Sequence, residues 1–383
     1  SRKAPRDLRH SDASDDQRVS LGLPDNIERS WVLVHTDDCD GYGTSIDVLN
    51  EIKLIMHEEW EVKDVDPSYI LGLKRTLCTD DPDHWIVTVT MEAYIGQMVS
   101  TWEHELVSLM GSKWQNRVLR THWPDGLILT KALAPDVKES THNLNRGYQK
   151  LVGSLLWAVR HCFPDCLYGM SQLCKLMGCP TDLAFKSGIR MLLCMYPRRH
   201  DGIRFSETNA PIKAYVDASN NPDPYDCKCQ YGFAVQWGGP IITKSSKLDH
   251  VGMNSTYNEY MALTHAIKRL VWLRKLLCEM GLSHVCQQAI PVFADNTQAN
   301  NLCKEDLVTK GNMYFNVAYH YNKEQVKAGE VNVIYVASDA NTSDILTKAT
   351  GPVKEQAMRP AILGYDARSY LAPVDNLGNR WNS

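Results

Sequence analysis

Four carboxylates in the C-terminal half of the chain carry the chemistry this sequence could perform: Asp217, Glu259, Asp295 and Asp344. They stand in KAYVDAS, NSTYNEYMAL, PVFADN and SDILTK, far apart in sequence, each in a strand-like or helix-like segment. Acids so placed are what a fold needs to hold two divalent cations about 3.5–4 Å apart for phosphodiester hydrolysis, one activating water and one stabilising the leaving oxygen. Hard cations such as Mg2+ or Mn2+ take carboxylate oxygens rather than thiolates. The plainer reading is that Asp residues end strands or cap helices, as Asp295 with Asn296, or Asp344, would do. Singly, each acid fits that reading. The combination, in this order of strands and helices, fits the metal-binding one.

The elements that must position these acids follow from the apolar pattern. IKAYVDA, YGFAVQW and PIITKSS read as three successive strands. A helix from about Ser255 to Met280 carries apolar residues at 260, 263, 267, 270, 273 and 277, the stripe of a helix buried along one face. AIPVFADN and VNVIYVA add two strands, with helical segments between them and a final helix after. Asp217 is then expected at the end of the first strand, beside Asp295 at the end of the fourth. Glu259 is expected in the first turn of the long helix and Asp344 on the last helix. This alternation makes an α/β layer fold.

Upstream, WVLVHTDDCDG reads as a short strand, a tight acidic turn and a Gly-rich exit, because CDGYGTS is poor strand material. SIDVLNEIKLIMHEEW has helical spacing and WIVTVTM alternates like a half-buried strand. Residues 143–196 read as a helical block, and 197–211, polar with a Pro at each end, as a linker. VKEQAMRPAILGY reads as a short helix ending at Gly364.

At 383 residues the chain suggests two or three domains, with 44% hydrophobic and 22% charged residues and no stretch resembling a membrane span. The net charge of -4, and the 13 Lys plus Arg against 14 Asp plus Glu between 205 and 350, argue against tight nucleic-acid binding. The 12 cysteines include no CxxC pair, so buried reduced thiols are expected rather than zinc sites or disulfides. The chain opens SRKAPRDLRH, with neither an initiator Met nor a signal peptide, so it reads as a piece of something longer, intracellular (cytoplasm or nucleus) and not secreted.

Residues 212–350 resemble the ribonuclease H domain of copia-type LTR retrotransposon Pol polyproteins. The resemblance is carried by YVDAS, QYGFAVQWGGPIITKSSK, STYNEYMAL, WLRKLL, ADN, YHYNKEQV and SDILTK. It implies that Asp217, Glu259, Asp295 and Asp344 are the catalytic residues and hold Mg2+ (or Mn2+), with an RNA–DNA hybrid as substrate. Upstream, KAPR (3–6), SLGL (20–23), YILGL (69–73) and QKLVGSLLWAVRHCFPD (149–165) resemble the later half of that family's reverse transcriptase. HTDD (35–38) then stands where the polymerase YxDD turn would, with Asp37 and Asp38 as a vestigial palm dyad.

The resemblance thus implies a partial reverse transcriptase palm (1–140), a helical thumb/connection (141–204), a ribonuclease H-like domain (205–350) with a mixed five-stranded sheet and flanking helices, and a C-terminal helix and tail (351–383). Several residues depart from the pattern. His35 replaces the YxDD tyrosine, and the third palm Asp falls outside the sequence. Met313, Tyr314 and Ala318 stand where the family has Lys, His and Arg. The polymerase half is therefore expected to be incomplete and inactive. Tyr319 and His320 match the pattern, and helix packing explains them as readily as catalysis. Two functions remain open: a Mg2+-dependent nuclease on RNA–DNA hybrids, or a catalytically silent, host-adopted fragment serving as a structural or interaction subunit among protein partners in a larger assembly.

Overall fold

A computed structural model describes residues 28–35, 38–60, 62–81, 84–117, 119–131, 136–304 and 316–365. The chain divides into two compact units between Pro67 and Ser68. The KAPR and SLGL segments, Asp37, Met313 and Tyr314, and the tail beyond 365 lie outside the described residues.

The first unit holds an antiparallel hairpin, β1 (Ser30–His35) and β2 (Asp38–Gly43), followed by helix α1 (Ile46–Glu59). The acidic, Gly-rich run expected to leave the sheet is instead β2, paired with β1 along its whole length from Asp38 opposite His35 to Gly43 opposite Ser30. Its glycines allow this. A Cβ on Gly41 or Gly43 would lie within 3.4 Å of the Leu49 side chain, so the missing side chains leave room for α1 to rest on the strand.

The second unit opens with a four-stranded sheet, β3 (Tyr69–Ile70), β4 (Leu73–Asp81), β5 (His84–Thr90) and β6 (Ile203–Ser206), in the order β3-β4-β5-β6. β6 lies inside the polar stretch 197–211 and pairs antiparallel with β5. Among the described residues, six α-helices lie between β5 and β6: α2 (Glu92–Thr101), α3 (Glu103–Met110), α4 (Val137–Asn145), α5 (Tyr148–His161), α6 (Leu167–Cys174) and α7 (Asp182–Met195). On α5, Leu151, Val152, Leu155, Ala158 and Val159 are fully buried at helical spacing, which forms the centre of this block's core. Thr181 caps α7 by accepting the Ala184 N–H.

The third layer system is a five-stranded sheet made of β7 (Lys213–Ala218), β8 (Gln230–Gln236), β9 (Pro240–Lys247), β10 (Ile290–Ala294) and β11 (Val331–Tyr335). Its order is β11-β10-β7-β8-β9; β7, β8 and β9 are antiparallel neighbours, while β10 and β11 run parallel to β7. This is the ribonuclease H-like mixed sheet that the sequence resemblance implies. Helix α8 (Ser255–Glu279) starts at an Asn254 cap that accepts the Tyr257 N–H, and buries Tyr260, Leu263, Ile267, Leu270, Leu273 and Leu277, the six positions of the expected stripe. Helices α9 (Thr297–Leu302) and α10 (Asn316–Lys327) lead to β11. Helix α11 (Pro352–Leu363) ends, as expected, at Gly364.

The expectation for Asp344 fails. Asp344 is not on a final α-helix but on a five-residue 3-10 turn, Thr342–Leu346. Bonds from Asp344 N–H to Asn341 C=O and from Thr347 N–H to Asp344 C=O close it at i→i+3 spacing. Asn341 sets the turn from outside, donating its side-chain amide to the Val216 carbonyl of β7 at 2.9 Å. Among the described residues no helix is long and apolar enough to cross a membrane.

Candidate active site

β7 is the central strand of the sheet and is buried almost throughout, so Asp217, next to its C-terminal end, is carried into the interior at 2% exposure. β10 runs parallel beside it with Ala294 opposite Val216, which leaves Asp295, the residue just beyond β10, next to Asp217. The 3-10 turn that Asn341 ties to β7 brings in Asp344, also buried. The three carboxylates Asp217, Asp295 and Asp344 each offer an oxygen, and these oxygens all lie within 4.8 Å of one another. Residues 217, 295 and 344 thus meet through strand register and the side-chain tether of the turn to β7.

Glu259 is placed differently. It sits one turn into α8, in the second turn rather than the first, and its carboxylate accepts the Ala218 main-chain N–H at 3.1 Å. It stands outside the three-carboxylate group but faces the same charges. Burial raises its carboxyl well above the usual range, and Asp217 and Asp295 push it further.

The cluster is electrostatically strained in the absence of a cation. Burial, then the neighbouring Asp344 carboxylate, pushes the Asp217 carboxyl up to about 7. Two ammonium groups offset part of this repulsion. Lys348 lies 3.0 Å from Asp344 Oδ1 and 3.8 Å from Asp217 Oδ2, and Lys354 of α11 ion-pairs with Asp344 Oδ2. Burial alone would lower the Lys348 ammonium, but Asp217 and Asp344 outweigh it and raise it. The Thr347 hydroxyl donates to Asp217, and the Ser338 hydroxyl to Asp295 at 2.6 Å. Sequence reasoning assigned no role to these four residues. Thr347 and Lys348 were visible in SDILTK, whereas nothing local marks Ser338 or Lys354.

The residues fit a hard divalent cation. The donor set is all oxygen, the carboxylates share one small volume, and Asp344 Oδ1 is a buried acceptor with no hydrogen bond, met only by the Lys348 charge. Thiols do not compete: all 12 cysteines are free and none belongs to the group.

No protein-family model matches the chain. A Pol polyprotein from transposon TNT 1-94 of Nicotiana tabacum is 25% identical over 320 residues, 83% of this chain and 23% of that polyprotein. One from transposon RE1 of Arabidopsis thaliana is 27% identical over 236 residues, 60% of this chain and 16% of the other. The chain is similar to retrovirus-related Pol polyproteins from plant transposons. It spans less than a quarter of the length of these curated relatives. Among solved structures, LC11-RNase H1 from compost, in complex with an RNA/DNA hybrid, is 12% identical and matches 36% of this chain and 93% of its own, with a TM-score of 0.28.

The part of the chain that resembles a polymerase shows no comparable centre among the described residues. Asp38 begins β2 in an exposed position, and the Tyr42 hydroxyl donates to Asp40. Among the described residues the hairpin's acids take part in no group of three metal-ligating side chains. His320 lies exposed on α10.

Proposed function

We propose that residues 205–350 are a ribonuclease H-type nuclease that uses Mg2+ or Mn2+ to hydrolyse the RNA strand of RNA–DNA hybrids. The preceding parts, a partial palm (1–140) and a helical thumb/connection (141–204), then serve as a non-polymerising platform, followed by the C-terminal helix and tail (351–383). The observation that carries this reading is the meeting of Asp217, Asp295 and Asp344 within 4.8 Å from three separate elements.

Asp217, Asp295 and Asp344, with Glu259 beside them, are the residues that would hold the cations. Bound there, two such ions supply an activated water and charge stabilisation at the leaving oxygen. The chain's own residues prepare the centre. Thr347 and Ser338 fix the rotamers of Asp217 and Asp295 by donating to them, and Asn341 fixes the turn that bears Asp344. The Ala218 N–H holds Glu259 against the end of β7. Lys348 balances the charge when no cation is present. The 12 free thiols, half of them buried, suit a reducing intracellular compartment.

The test is cleavage of labelled RNA annealed to DNA by the purified full chain in Mg2+. RNA duplex, DNA duplex and chelator serve as controls. Cleavage of the hybrid alone, lost with chelator, is expected; equal or absent cleavage of all three substrates rejects the reading.

One observation favours a second reading, a catalytically silent scaffold among protein partners. Both carboxylate oxygens of Asp344 already face lysine ammonium groups. Under that reading Mn2+ does not bind the acid cluster at all.

A further inference from the structure

The end of α8 remote from the acids carries a pair of thiols. The helix closes at Gly281, whose φ of +74° is the left-handed cap conformation. The Leu282 N–H donates to the Leu277 carbonyl at 2.7 Å, and the Gly281 N–H to the Cys278 carbonyl at 2.9 Å. This reversal leads at once into a 3-10 turn, Ser283–Cys286, which packs against the helix. Arg274, one helical turn before Cys278 on the same face, pins the returning segment. Its guanidinium donates to the main-chain carbonyls of Cys286, of Gln288 at 2.9 Å and of Glu330 at 2.7 Å. It also pairs with the Glu330 carboxylate at 2.7 Å. The cap and Arg274 together bring the Cys278 and Cys286 side chains into hydrogen-bond contact.

Access differs between the two. Cys278 is exposed, whereas Cys286 is buried at 4% exposure. Burial, then the adjoining Cys278 thiol, raises the Cys286 thiol, and the Arg274 guanidinium pulls the other way. An exposed thiol touching a sheltered one is the arrangement of an attacking cysteine beside its resolving partner. Cys162, Cys166, Cys194 and Cys303 contrast with this pair. They are buried, and that burial raises their thiols, so a solvent-borne oxidant does not reach them as thiolates.

We propose that Cys278 and Cys286 form a redox modification site, a dithiol that closes to a disulfide by exchange with oxidised glutathione, a low-molecular-weight disulfide. The Cys278 thiolate attacks one glutathione sulfur and expels the other glutathione as a thiolate. The Cys286 thiolate then attacks the Cys278 sulfur of the mixed disulfide and expels the second glutathione thiolate. Two protein thiols are oxidised, one glutathione disulfide is reduced, and the two protons pass to the expelled thiolates. The new bond joins the last turn of α8, the helix that bears Glu259, to the segment entering β10, which ends beside Asp295. At about 1.5 Å per residue, Cys278 lies about 28 Å along α8 from Glu259. The disulfide therefore staples the fold without touching the acid cluster, and it stands whether or not that cluster cleaves.

The test incubates the reduced full chain with oxidised glutathione and alkylates the remaining thiols with iodoacetamide. Peptides are then mapped by mass spectrometry after trypsin and Glu-C, which cuts between the two cysteines at Glu279. The expected product is a disulfide-linked pair of peptides holding Cys278 and Cys286. Its thermal midpoint is expected about 4 °C above that of the reduced chain, returning to the reduced value with dithiothreitol. Cys278→Ser is expected to lose both the link and the rise, and Cys286→Ser to stop at a glutathione adduct on Cys278. A wild type that keeps the adduct on Cys278, or leaves both thiols to be alkylated, overturns the site. A linked pair with an unchanged midpoint overturns the staple.

Discussion

Lys354, in the first turn of α11, ion-pairs with Asp344 of the acid cluster, while its neighbour Glu355 is buried against His122 of the helical block. The Glu355 carboxylate accepts from the His122 main chain and ring at 3.2 Å and from Arg359 at 2.5 Å. The C-terminal helix is therefore anchored by one residue and delivers a cation to the site with the next. Lys354→Ala removes a counter-ion that competes with metal for Asp344. For a partly exposed ion pair worth about 1 kcal/mol, Mn2+ affinity measured by calorimetry is expected to rise about fivefold. Weaker Mn2+ binding would mean that Lys354 supports the metal form.

Gly232 of β8 lies opposite Asp217, and its missing side chain is what lets the Asp344 turn approach. A Cβ there would stand 2.5 Å from the Leu346 Cβ and 3.1 Å from Thr347 Cγ2, so the turn itself must move. Gly232→Ala is expected to cost about 1–3 kcal/mol in denaturant unfolding. It should lower hybrid cleavage by about 100-fold through displacement of Asp344, although it removes no functional group. Wild-type activity in this variant would show that the turn's position is not critical.

Asp165, fully buried, holds the helical block to α11. It receives Arg198 in a bidentate pair at 2.7 and 3.0 Å and Arg359 at 2.9 Å. Asp165→Asn leaves Arg198 without its counter-charge and Arg359 with Glu355 alone, and is expected to destabilise the fold by about 3–5 kcal/mol, read from chemical denaturation.

The same residue sets an acid limit. Burial alone would raise the Asp165 carboxyl, but Arg198 and Arg359 outweigh it and hold it well below the usual carboxylate range. A folded-state value below the unfolded one adds stability that is complete above the ordinary Asp range, near pH 4, and is lost as pH falls toward the depressed value. Thermal melts between pH 6 and 3 (an interval of roughly this span brackets the ordinary Asp range) should show the wild type losing stability more steeply at its acid end than Asp165→Asn. Parallel curves would remove Asp165 as the cause.

The sequence made some of this legible and hid the rest for physical reasons. The α8 stripe could be read because one face packs on the sheet, and periodicity reports that directly. Asp217 and Asp295 could be paired because each ends a buried apolar strand, and parallel strands align their ends. Asp344 was assigned to a helix because its 3-10 turn is set by Asn341 reaching the Val216 carbonyl, a contact 125 residues away that no local pattern contains. β2 was missed because its glycines are poor strand formers, yet they admit Leu49. The lysines were counted but could not be placed. A near-neutral total conceals four ammonium groups around one cavity and two on one carboxylate.

The most direct measurement is the initial rate of RNA-strand cleavage of an RNA–DNA hybrid in Mg2+ by the full chain, compared with Asp217→Asn. Asp217 is the acid nearest the centre of the cluster's interactions, touched by Thr347 and Lys348 and raised by Asp344 and Asp295. The expected result is cleavage by the wild type and, for Asp217→Asn, a rate no different from buffer while hybrid binding in EDTA persists. A wild-type rate no greater than that of Asp217→Asn contradicts the assignment of this cluster as a nuclease centre.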